Sequence, residues 1–183
     1  MNPKLRMPKA APLVLALACL ATPIHGLRAQ APQPRDTLLA AAREIIEAAR
    51  YCGLVTLDES GAARVRTMDP FLPEADMTIW LGTNRHTRKV QQIENDPRVT
   101  LYYFSSDPVG YVTISGRAHL VDDPTEKSMR FKDGWEAFYA DREADFLLIQ
   151  VTPERMEVIS YGRGIGGDSE TWEPPVVEFG GGE

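Results

Sequence analysis

The chain has 183 residues, of which 20 are Lys or Arg and 26 are Asp or Glu, giving a formal net charge of −6. That balance argues against a general binder of nucleic acid or of anionic membranes, so any basic cluster within it calls for a specific reason. With 43% hydrophobic residues and no internal repeat, the length suits one domain with its own core.

The first ten residues carry Lys4, Arg6 and Lys9 and no acid. An apolar run follows from Ala11 to Ile24, and small residues stand at Ala29 and Ala31. This order predicts a secretory signal peptide over residues 1–29, and so an exported protein, periplasmic or extracellular. The run is shorter than the roughly 20 residues that span a bilayer, so no membrane association beyond export is expected. Lipoprotein anchoring at Cys19 is the alternative, although Ala16 sits where a lipobox usually carries Leu. Removing the segment takes away four cations and no acid, and brings the net charge to −10. Only Cys52 then remains, so no intramolecular disulfide can form. At the start of a strand it reads as a small buried hydrophobe.

Residues 30–36 are Pro-rich and read as a tether, followed by one domain over 37–161 and a tail over 162–183. Leu38, Leu39, Ala42, Ile45, Ile46 and Ala49 recur at helical spacing, which predicts an amphipathic helix over 37–50. Asp36 is its expected cap, and Gly53 lies near its end. Cys52–Leu57 and Ala63–Met68 flank the turn Asp58-Glu59-Ser60-Gly61 and read as a hairpin. Residues 69–76 hold two prolines and form a loop before a third strand, Met77–Gly82. Thr87 opens a short helix with Val90 and Ile93 inward, stopped by Asn95-Asp96-Pro97. Val99–Phe104 and a long Tyr111–Val121 are strands four and five, with a turn at Asp107-Pro108 between them. Short helices are expected over 124–129 and 132–140. Further strand is expected over 145–151 and 156–161, interrupted or bent at Pro153. Six strands in mostly antiparallel order predict a mainly β (α+β) fold, a small closed or half-closed barrel with a few short helices.

Two groups of residues stand out chemically. Arg85, Arg88 and Lys89 crowd a helix start, where cations oppose the helix dipole at about 0.3–1 kcal/mol each. Their sign makes sense if first-turn N–H groups, the Thr87 hydroxyl and the Arg88 and Lys89 side chains converge on a phosphate. Otherwise they are a solvated cluster on a loop. In Arg64-Val65-Arg66-Thr67-Met68, strand alternation puts both guanidiniums on one face, suited to carboxylate or phosphate. Otherwise they decorate an exposed edge. The Gly-rich stretch from Gly162 to Gly167 follows a strand but opens no helix, so it does not make a dinucleotide loop. Trp80 reads as core, and Tyr102, Tyr103 and Phe104 as core and dimer surface.

Taken together, GLVTLDESGAARVRTM (from Gly53), MTIWLGTNRHTRKVQQIENDPRVTLYYF (from Met77) and YVTISGRAHLVDDP (from Tyr111) resemble the pyridoxamine 5′-phosphate oxidase-like family, in particular its bacterial general stress protein branch. The resemblance implies a six-stranded split β-barrel of the FMN-binding type, a homodimer, and FMN at the dimer interface. It implies that Arg64, Val65, Arg66, Thr67 and Met68 lie along the flavin ring and ribityl chain, and that Gly82 and Thr83 lie near the phosphate. It further implies that Arg88 and Lys89 bind the phosphate with help from Thr87, and that Tyr111 stands where the true oxidases carry a Gln. No C-terminal Arg-Trp pattern for pyridoxamine phosphate is present, so the oxidase activity itself is not implied. The expectation is an FMN-dependent oxidoreductase acting on a small molecule. The alternative is a non-catalytic stress or binding protein that holds flavin, haem or a deazaflavin.

Overall fold

A computed structural model describes residues 33–180. The predicted signal peptide and the first residues of the tether lie outside them. Helix α1, Arg35–Ala49, buries Leu38, Ala41, Ala42, Ile45 and Ile46 along one stripe. Asp36 is not its cap. Pro34 takes that position, and Asp36 sits in the first turn, where a carboxylate still favours the dipole. Nor does Gly53 end the helix. Arg50 does so at φ 62°, its amide bonding to Ile46 O, and Gly53 lies inside the next strand.

Strands β1 (Cys52–Leu57) and β2 (Ala63–Met68) form the expected hairpin, with Leu54 opposite Arg66 and Thr56 opposite Arg64. Strand β3 runs Ile79–Asn84, two residues later than the alternation suggests. The delay has a local cause: Met77 adopts φ 71° and its amide closes a turn onto Glu74 O. Helix α2, Arg88–Asn95, has Thr87 as its N-cap residue and buries Val90 and Ile93. Strands β4 (Arg98–Ser106) and β5 (Val109–Val121) pair along their whole facing length.

Helix α3, Pro124–Met129, is capped by Asp123, whose carboxylate accepts from the Thr125 and Glu126 amides. The helix expected over 132–140 is only a 3-10 turn, Trp135–Ala137, because Gly134 takes a left-handed conformation at its start. A short α4, Arg142–Asp145, then leads into β6, Phe146–Ser160. The two strands expected around Pro153 are therefore one. Pro153, which lacks an N–H, is accommodated opposite Gly116, where the β5–β6 register shifts. In the tail, Val176–Glu178 adds β7 to β6, with Val177 buried.

The sheet is antiparallel in the order β2-β1-β4-β5-β6-β3, with β7 beside β6. Its end strands do not pair along their length. Only Pro70, just past β2, bridges Leu81 of β3. The six long strands thus curl into a split half-barrel of the FMN-binding type. Leu54, Leu81, Leu101, Tyr103, Ile114 and Ile149 fill it together with the α1 stripe. Cys52 is among these buried residues, and burial pushes its thiol up to about 12. A second, smaller cluster of Trp80, Phe146 and Leu148 occupies the outer face of β3–β6, covered by Phe71, Phe131, Trp135 and Tyr139.

Candidate functional site

Strand alternation puts Arg66 on the inner face of β2, opposite Leu54. Its guanidinium folds over β1 and meets α2. Nη1 donates to Thr56 Oγ1 at 2.7 Å and to Leu54 O at 3.2 Å, and Nη2 donates to Gln92 Oε1 at 2.9 Å. The Thr56 hydroxyl donates to the same Gln92 oxygen at 2.6 Å. The first turn of α2 brings Arg88 and Lys89 beside this network. Lys89 Nζ donates to Thr83 Oγ1 on β3 at 3.1 Å, and Thr83 Oγ1 stands 3.4 Å from Thr87 Oγ1. Thr87 in turn donates to Asn84 O at 2.8 Å, which pins the β3–α2 junction.

Arg66 stands between the charges of Arg88 and Lys89. Burial lowers the pKa of Arg66 first, and the charge of Arg88 lowers it further. Lys89 is lowered by burial and then by Arg66. No carboxylate among the described residues pairs with any of the three. Arg64, Arg85, Arg98, Arg117, Arg130, Arg155 and Arg163 do form salt bridges, while Arg35, Arg43 and Arg142 donate to backbone carbonyls. The free N–H groups of the α2 first turn add potential of the same sign. Uncompensated positive charge of this kind is costly, and an anion with several acceptor oxygens relieves it.

The family model for pyridoxamine 5′-phosphate oxidase matches residues 38–160, most of the chain and nearly the whole barrel. The chain belongs to this family. No curated relative matches it significantly. Among solved structures, general stress protein 26 of Bacillus anthracis is 20% identical at a TM-score of 0.61, covering 76% of this chain and 97% of its own. A pyridoxamine 5′-phosphate oxidase-related, FMN-binding protein of Nostoc punctiforme is 15% identical at a TM-score of 0.62, covering 82% of this chain and 99% of its own. A protein of Clostridium acetobutylicum related to general stress protein 26 is 21% identical at 0.61, covering 70% and 92%. At these identities the likeness is one of fold.

Within this family member, Arg66, Thr83, Thr87, Arg88 and Lys89 are brought together, and the other expected residues lie elsewhere. Arg64 turns back to Asp58 in a 2.7 Å salt bridge. Arg85 pairs with Asp122 and donates to Ala144 O, so it stays out of the cluster. Val65 and Thr67 face outward, and Met68 packs on the core. Gly82 faces the outer aromatic cluster, where an added Cβ would stand 2.3 Å from the Trp135 ring. Tyr111 lies on the outer sheet face beside Tyr102, ring centroids 6.0 Å apart, on the opposite side of the sheet from Arg66.

Thr56 and Gln92 were missed at the level of sequence. Gln92 was findable in part, since it follows Arg88 by four and Lys89 by three and therefore shares their helix face. Thr56 continues the inward alternation of Cys52 and Leu54, but only the β1–α2 contact reveals its role.

Proposed function

We propose that this protein binds FMN by its phosphate, at the site formed by Arg66, Arg88 and Lys89 with the Thr83 and Thr87 hydroxyls. The observation that carries the reading is Arg66 of β2 held beside Arg88 and Lys89 of the α2 start, with no carboxylate among the described residues paired to any of the three, in an acidic chain. Family membership and the likeness in fold to the FMN-binding protein of Nostoc punctiforme support it. The residues fit the group: two guanidiniums and an ammonium more than offset the two negative charges of a phosphate monoester dianion, and the hydroxyls and first-turn amides supply neutral donors. Bound flavin would supply reversible hydride or electron transfer, while the chain supplies binding, orientation and electrostatics. We read the protein as an exported, homodimeric, flavin-dependent oxidoreductase of a small molecule.

A non-catalytic flavin carrier is the second reading. It is favoured by the composition of the cluster, whose five members are binding groups and include no carboxylate or imidazole suited to proton transfer.

The test is an absorption spectrum of the purified domain before and after FMN is added, followed by gel filtration. Flavin that co-elutes with the protein supports the reading. Replacing Arg88 and Lys89 together by Ala should weaken FMN binding by at least about a hundredfold, since charged partners of a phosphate each contribute about 1.5–3 kcal/mol. The fold should survive, because neither side chain forms a salt bridge in the described residues. Unchanged affinity in the double variant would remove the phosphate-site assignment. Turnover follows if a small-molecule donor bleaches the bound flavin. A carrier holds flavin without such bleaching.

A further inference from the structure

The way Arg66 is held goes beyond the presence of a cation. A guanidinium needs acceptors to fix its direction, and the commonest acceptor in this chain is a carboxylate. A carboxylate would fix Arg66 and cancel its charge in the same stroke. Here every acceptor is neutral: the Leu54 carbonyl, the Thr56 hydroxyl and the Gln92 amide oxygen. Gln92 Oε1 is the hub, because it accepts from both Arg66 and Thr56 and so ties β2, β1 and α2 together. It also rides on the helix that carries Arg88 and Lys89, one turn further along.

We infer that Gln92 is a specificity-determining positioning residue: it orients Arg66 through an uncharged oxygen and thereby keeps the full positive charge of the site for a phosphate monoester dianion. The inference rests on the phosphate-site reading above. Its content is electrostatic, and this separates it from a merely structural tether. Glu at position 92 would have the same length and retain an acceptor for Arg66 and Thr56, so it would preserve or strengthen the tether. It would also place a negative charge beside the anion site. Ala at position 92 would lose the tether and leave the charge of the cluster intact. The two roles therefore predict opposite rankings of the two variants.

The experiment measures the affinity of the wild type, Gln92→Glu and Gln92→Ala for FMN and for riboflavin, which shares the ring and ribityl chain and lacks the phosphate. Thermal melts of the proteins without ligand accompany it. The expected result is that Gln92→Glu weakens FMN at least about tenfold, as one unit charge a few ångströms away does at protein-surface dielectric. Its riboflavin affinity should stay at the wild-type value and its melting temperature at or above it, and Gln92→Ala should lose less FMN affinity than Gln92→Glu. Gln92→Glu binding FMN as tightly as the wild type, or better than Gln92→Ala, would overturn the inference. An equal loss of FMN and riboflavin would overturn it too, since the effect would not run through the phosphate. The Arg88→Ala/Lys89→Ala variant separates the two levels of failure. If that variant loses FMN while Gln92→Glu does not, only the role of Gln92 falls. If the wild type prefers FMN to riboflavin by nothing, the phosphate site falls and Gln92 with it.

Discussion

At the scale of single residues, the two arginines of β2 differ in role although alternation places them on one face. Arg66 reaches across the sheet into the cation cluster, whereas Arg64 returns to the hairpin turn. There Asp58 accepts from the Ser60 and Ala62 amides and the Ser60 hydroxyl, and pairs with Arg64. Ser60 and Arg64 together hold the Asp58 carboxyl well below its usual range. A group whose folded pKa is depressed contributes stability that is present above its unfolded pKa and is lost as pH falls toward the folded one. Asp58→Asn keeps an acceptor for the turn and removes the charge. The variant should melt below the wild type at pH 7, and the gap should shrink as pH falls below the unfolded carboxylate value of about 3.9. A gap that is the same at pH 7 and at pH 2.5 would show that the charge of Asp58 contributes nothing.

At the scale of elements, the aromatic segment before β6 is held by one glycine. Trp135 lies over Gly82 on the outer face of β3, within reach of Phe71, Phe131, Tyr139 and Phe146. A Cβ at position 82 would meet Trp135 Cζ3 at 2.3 Å and Phe146 Cε2 at 2.8 Å, so Gly82→Ala overpacks the cluster. The expected cost is about 1–3 kcal/mol. For a domain of this size that lowers the melting temperature by roughly 2–12 °C. A double-mutant cycle with Trp135→Ala should show coupling, because the steric conflict disappears with the indole. Additive effects would place the strain elsewhere. The same element shows where sequence reading stops. Hairpin β1–β2, helix α2 and strands β4 and β5 were legible because their periodicity is local and bounded by turn residues. The segment over 132–140 looked helical, but its aromatics follow the shape of the β3–β6 face and not a helical period, and Gly134 breaks the turn. Pro153 read as a break in the strand because its partner at the bulge, Gly116, is 37 positions away. The cations of α2 were legible from their conflict with the helix dipole. Gln92 became visible as a member of the site only once β1 and α2 were seen in contact.

At the scale of the whole molecule, the outer face of the sheet carries exposed aromatic and aliphatic side chains. Tyr102 and Phe104 are 45% and 57% exposed, and Phe104 stands opposite Tyr111 in the β4–β5 register. Gly53, paired with Tyr102, leaves the neighbouring strand flat. Val65 and Val109 are 71% and 48% exposed. A contiguous aromatic surface of this kind is seldom left to water. A second copy of the chain would cover it, and a stable homodimer buries about 800 Å² on each partner. Tyr111 strengthens the argument, since the sheet separates it from the Arg66 cluster of its own chain. A site that uses both must draw on two chains. Light scattering should therefore return twice the mass of one chain. Phe104→Asp places a charge in the middle of the patch and should yield a folded monomer, because the side chain is already exposed and supports no core contact. FMN retention decides what the partner contributes. A Phe104→Asp monomer that loses FMN, although its Arg66, Arg88 and Lys89 are untouched, places part of the binding surface on the second chain. A monomer that holds FMN as tightly as the dimer makes the cation cluster sufficient, and leaves Tyr111 as an interface residue alone.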